Sequence, residues 1–137
     1  MASRHAVDAR TLRHQMCYRY AHLIFPLMIE PPKESLLEQE RFELKPKSGG
    51  GSLSYEVWGF RDPGKTIVTR YNLAHINRAI FRGDNGRVLG FDNAHGYHHR
   101  HFMGKVEAVE FESYEATLER FQRECLEIVE SEGTRKS

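Results

Sequence analysis

Alternation of apolar and polar positions dominates the middle of the chain. Residues 38–45 alternate with Phe42 and Leu44 on one side. That predicts a first strand, because successive strand residues point to opposite faces. Ser54 to Phe60 reads as a second strand, with Tyr55 and Val57 opposed to Trp58 and Phe60 in a partly irregular alternation. Thr66 to Ile76 is the longest candidate: Ile67, Thr69, Tyr71 and Leu73 share one face, and Val68, Arg70, Asn72 and Ala74 the other. The spacing allows it to continue through a bulge over Asn77 to Arg82. Arg87 to Phe91 and Val106 to Phe111 supply two shorter strands. Turn chemistry separates these segments. Residues 46–52 are glycine-rich, Asp62-Pro63-Gly64 is a turn signal, and Asn85-Gly86 supplies the positive φ angles of a tight hairpin. The glycine triplet is not a phosphate loop, since no Gly-Lys-Ser/Thr follows in register.

After residue 112 the period changes. Tyr114, Leu118, Phe121, Cys125, Ile128 and Val129 recur at helical spacing and form one apolar stripe. Ser113 is a good N-cap, Glu115 places negative charge in the first turn, and Gly133 is expected to close the helix. Strands in series followed by a helix predict one α+β domain over residues 36–132. It is a mostly antiparallel sheet of about five strands with the C-terminal amphipathic helix packed across it. Residues 1–30 stand apart as an N-terminal extension. Ala2 to Tyr20 is rich in Arg and His with Asp8 alone acidic, which suits a basic helix, and residues 21–29 form an apolar patch before Pro31-Pro32.

Length and composition narrow the function. A chain of 137 residues suits a single core of ordinary size. No apolar run approaches the roughly 20 residues that span a bilayer. Cys17 and Cys125 are too few and too far apart in sequence for a disulfide framework. A reducing, cytoplasmic setting without membrane contact is expected. The net charge of +1 hides an asymmetry. From Arg61 to Lys105 eight basic side chains face three acidic ones, a balance of +5. From Val106 to Ser137 four basic side chains face nine acidic ones, a balance of −5. A basic middle suits an anionic ligand, and an acidic tail suits solvent or a basic partner.

The candidate chemistry lies between Gly83 and Gly104, which hold four of the eight histidines: His95, His98, His99 and His101. A strand delivers Asp92 and Asn93 just ahead of them. Extended backbone would put His99 and His101 on one side, and His98 and Arg100 on the other. Three mechanisms fit these residue types. The first is RNA cleavage without metal or other cofactor. There His99 and His101 share the acid and base roles, Arg100 stabilises the phosphate, and Asp92 orients a histidine or holds the loop. Arg70 and Arg87 would then contact the RNA backbone, with Tyr97 and His98 beside them. In the second, His95, His99, His101 and Asp92 bind a divalent metal, against which stands the cation of Arg100 between the best ligands. In the third, the basic face is a non-catalytic nucleic-acid-binding regulatory module, with Tyr97 or Phe102 stacking on bases. A histidine-rich surface loop is the plain alternative to all three.

The run RYNLAHINRAIFRGDNGRVLGFDNAHGYHHRHFMG, followed by KVEAVEFESYEATLERF, resembles the TumE-type family of toxins from toxin–antitoxin systems. Phe91-Asp92-Asn93, His99-Arg100-His101 and Gly104 carry the resemblance, which covers residues 36–132. It implies a toxin whose target is RNA or the translation machinery. It also implies a partner, a helix-turn-helix antitoxin encoded nearby. A homo-oligomer is compatible with the sequence.

Overall fold

The computed structural model describes residues 32–136. The expected N-terminal helix lies outside them. Six strands follow one another along the described residues: β1 (Ser35–Glu43), β2 (Ser52–Asp62), β3 (Lys65–Ile76), β4 (Arg87–Asp92), β5 (His99–Phe102) and β6 (Lys105–Ala108). Each pairs antiparallel with the next, so the sheet order is the sequence order. Among the described residues one α-helix, α1 (Tyr114–Lys136), lies across one face.

The α+β reading stands, and the strand count rises from about five to six. The added strand is the second half of the histidine stretch, His99–Phe102, which pairs with both β4 and β6. Met103 and Gly104 join β5 to β6 with φ of 49° and 84°. These are the two positive angles of a two-residue I′ turn, for which Met-Gly is an uncommon sequence. A second correction concerns Asn77 to Arg82, which leaves the sheet instead of prolonging β3. Asn77 Oδ1 accepts from the Ala79 amide at 3.0 Å, and its Nδ2 donates to the Gly49 carbonyl at 2.9 Å. That side chain builds the turn. Asp84, Asn85 and Gly86 do take positive φ, but they close the longer 77–86 connection, through Asn77 N to Gly86 O at 2.8 Å, and not a tight hairpin.

The register assigns every residue to a face. Tyr55, Leu73, Phe91 and Arg100 form one cross-strand row on the helix side. Glu56, Asn72, Asp92 and His99 form the adjacent row on the other side, with Ser54, Ala74, Gly90 and His101 beside it. The core gathers under the helix. Tyr55, Val57, Tyr71, Leu73, Leu89 and Phe91 come from the sheet, and Tyr114, Phe121 and Cys125 from α1, all buried. The Phe121 ring meets Tyr55 and Phe91 edge to face, at 5.7 and 6.3 Å between centroids. Ser113 caps the helix as expected, its Oγ accepting from the Ala116 amide at 3.0 Å. Gly133 does not end it, and the helix runs on to Lys136. The last turn is held by Arg135 Nε to Glu132 at 2.7 Å and Thr134 Oγ1 to the Glu130 carbonyl at 3.1 Å.

Candidate active site

Strand β4 is buried along almost its whole length, from Val88 to Asp92. It ends by delivering a carboxylate into the sheet's other face, where Asp92 is only 6% exposed. Asp92 Oδ1 lies 2.7 Å from His99 Nε2, and Oδ2 lies 3.1 Å from His101 Nε2. One carboxylate thus bridges two histidines that the pleat of β5 places on the same face. Oδ1 also accepts from the Ala94 amide at 3.0 Å, which starts the short turn Ala94–Gly96. Asn93 secures the strand end, accepting from the Tyr71 amide at 3.0 Å and donating to the Thr69 carbonyl at 2.9 Å.

Hydrogen bonding sets the two histidines apart. His99 Nδ1 faces the Tyr97 carbonyl at 3.1 Å, and its Nε2 faces the carboxylate. Both partners only accept, so both bonds form only when both ring nitrogens carry a proton. His101 Nδ1 lies 3.0 Å from Arg87 Nη2, which can only donate. His101 is therefore the neutral ring, with its proton on Nε2. Burial lowers its pKa first and the Arg87 charge lowers it further, partly opposed by Asp92. Arg87 is anchored on Asp84 by two bonds, Nε at 2.8 Å and Nη2 at 3.1 Å, and its Nη1 comes within 3.6 Å of Asp92 Oδ2.

Of the residues singled out in the sequence, Asp92, His99 and His101 come together, with Arg87 against them. Tyr97 is 45% exposed, and its ring sits 4.5 Å from that of His99. Arg100 is not brought to this cluster. It projects to the helix side, where Nε donates to Glu124 at 2.9 Å, Nη1 to Glu107 at 3.2 Å, and the guanidinium lies over Phe102. His98 turns the same way. It accepts from the Tyr71 hydroxyl at 2.9 Å and stacks on Phe111 at 3.9 Å. Burial raises the Tyr71 pKa and lowers that of His98, so the proton stays on the tyrosine. His95 is exposed with φ of 62° and stands outside the cluster. Arg70 lies over Trp58 at 4.5 Å and pairs with Glu34 at 2.9 Å.

Arg87 is the member whose place the sequence reading missed, having assigned it only to backbone contacts. Gly90 was the available signal. A Cβ there would meet Arg87 Cδ at 2.7 Å, so the missing side chain is what lets Arg87 cross the strand toward His101. Beside the cluster a groove of about 280 Å³ is lined by Ser54, Glu56, Asn72, Asp84, Asn85 and Arg87 among others. Arg87 belongs to both groove and cluster. The arrangement offers a proton donor, a neutral imidazole, a carboxylate that orients both, and a cation at an open groove. Among the described residues, Asp92, His99 and His101 are also a set with metal-ligand spacing, and no helix is long and apolar enough to cross a membrane.

A family model described as Toxin TumE matches residues 36–130, more than half of the chain. No curated protein and no solved structure gives a match.

Proposed function

The chain belongs to the TumE toxin family, toxins of toxin–antitoxin systems, and from that premise we propose that it is a metal-independent ribonuclease with Asp92, His99, His101 and Arg87 as its reaction centre. The observation that carries this reading is the asymmetry of the two histidines on one carboxylate. His99, whose two ring nitrogens both face acceptors, acts as the acid. His101 is neutral, and its Nδ1 lone pair accepts from Arg87. A phosphate entering the groove draws the guanidinium to itself, because a planar fork pairs well with phosphate oxygens. That frees His101 Nδ1 to take the 2′-hydroxyl proton. The 2′-oxygen attacks phosphorus, Arg87 stabilises the charge that develops, and His99 gives its proton to the departing 5′-oxygen. Asp92 holds both rings. Arg87 thereby takes the role that the sequence reading gave to Arg100. In this reading Tyr97, exposed and against His99, stacks on a base, and Arg70 meets the RNA backbone.

The family implies an antitoxin partner. A helix-turn-helix antitoxin encoded nearby is part of this proposal. The test is cleavage of cellular RNA by the purified chain in EDTA. We expect fragments with 2′,3′-cyclic phosphate ends, and loss of cleavage by about 10²–10⁴-fold in His101→Asn and His99→Asn. An intact RNA pool at verified folding would refute the ribonuclease reading. Salt-sensitive RNA binding that persists without cleavage would favour the non-catalytic module instead.

A further inference from the structure

The three side chains that hold the protons have a second capability. A carboxylate oxygen of Asp92 and one ring nitrogen each from His99 and His101 all lie within 4.8 Å of one another. Asp92 Oδ1 lies 2.7 Å from His99 Nε2, and its other oxygen, Oδ2, lies 3.1 Å from His101 Nε2. Neighbouring ligands on a tetrahedral ion with bonds of about 2.0–2.1 Å sit about 3.3 Å apart. Side-chain adjustments of an ångström or so bring these atoms to that spacing around an ion. The donor set of two imidazoles and one carboxylate suits zinc or another late divalent transition metal. The outer contacts are also in place. His99 Nδ1 donates to the Tyr97 carbonyl, which aims Nε2 at the cluster in the way metal-ligating histidines are held. Asp92 and His99 are paired across β4 and β5, so the ligands sit on a rigid ladder and not on a loop.

We propose that Asp92, His99 and His101 bind one divalent transition-metal ion, and that binding switches the toxin off. The ion takes the positions of the protons on both Nε2 atoms, which removes the acid and immobilises the base. The inhibition rests on the acid–base reading given above; the binding does not.

Two charged neighbours set the direction of the effect. The sequence objection to a metal was the arginine between the histidines, and Arg100 lies on the far face against Glu124. Arg87 is the cation actually present, 3.6 Å from Asp92 Oδ2 and donating to His101 Nδ1. A neutral imidazole that ligates through Nε2 carries its proton on Nδ1, so Arg87 must give way there. Asp84 Oδ2, 3.8 Å from the same nitrogen, is the acceptor that replaces it. Arg87 thus favours the metal-free state, and Asp84 serves both.

The experiment uses the untagged full-length chain, titrated with zinc chloride in a calorimeter, with RNA cleavage measured on the same samples. We expect saturable uptake of one ion per chain and cleavage that falls with occupancy and returns with EDTA. His99→Gln should weaken this site by more than the roughly 10–100-fold that loss of an outer contact alone produces. Arg87→Gln should tighten it about tenfold by removing a like charge. Cobalt(II), loaded in place of zinc, should give the intense visible absorption of a tetrahedral site, and His99→Gln should abolish it. Absence of saturable binding, or binding indifferent to both substitutions, overturns the site. Cleavage that requires zinc overturns the inhibition and the metal-free chemistry together, while leaving the ligand set standing.

Discussion

The two faces of the sheet solve opposite problems with the same strands. Under α1 the side chains are apolar and interlocked, with Leu73, Leu89, Phe91 and Phe121 at 0–1% exposure. On the other face the strands that present Leu73 and Phe91 also present Asn72 and Asp92, and the groups gathered there include a carboxylate and two imidazoles. The helix side specifies a shape through packing. The other side specifies proton positions through donors and acceptors. Arg100 shows that the boundary between them runs through single residues of the HHRH string. It sits between two histidines of the cluster, yet it belongs to the packed side.

The largest effect comes from breaking the packed face. Phe121→Ala should destabilise the chain by about 3–5 kcal/mol, measured by urea unfolding, with toxicity lost through loss of folded protein. Arg100→Ala sharpens the division between faces. It strips Glu124 of one of its two arginines, Arg120 being the other, and should destabilise by about 1–2 kcal/mol. Cleavage per folded molecule should stay within a few-fold of wild type. A loss as deep as that of His101→Asn would move Arg100 into the chemistry. The smallest effect concerns a polar group on the wrong side. His75 is fully buried beneath the helix, and neither ring nitrogen has a hydrogen-bond partner among the described residues.

Burial lowers the His75 pKa in the folded state. The unfolded chain therefore takes up this proton first as the pH falls. Stability from the neutral ring is fully present above the ordinary histidine value of about 6.5 and is lost progressively below it. His75→Leu should flatten that dependence and raise stability by up to about 1 kcal/mol at pH 7. Melting temperatures of both proteins between pH 5 and pH 8 decide it, and parallel slopes would exclude His75 as the source.

Periodicity made the strands and the helix legible, because both depend on which residues must leave water. It also placed His99 and His101 on one side and Arg100 on the other, a parity the structure keeps. What it concealed were elements set by single side-chain bonds. The Asn77 amide builds a turn where alternation reads as a continuing strand, and Met103-Gly104 makes a hairpin without the usual asparagine. Polar composition alone made β5 look like loop, since a strand on the polar face need not be apolar. The company of His101 was hidden for another reason. Arg87 reaches it only because Gly90 leaves the strand surface bare, and an absent side chain carries no hydrophobic signal.

The sheet order, in which every strand joins its neighbour in sequence, has a kinetic consequence. Each pairing closes a short loop, so little chain entropy is lost before contacts repay it, and such topologies fold quickly. Assembly can then keep pace with synthesis, hairpin by hairpin. Asp92 meets His99 as soon as β5 pairs, before α1 has been made. The apolar face meanwhile stays uncovered until Phe121 emerges. A nascent chain halted between those two points would carry its Asp92–His99 contact formed and its core exposed, a form that proteases and chaperones can reach and that the finished chain no longer offers.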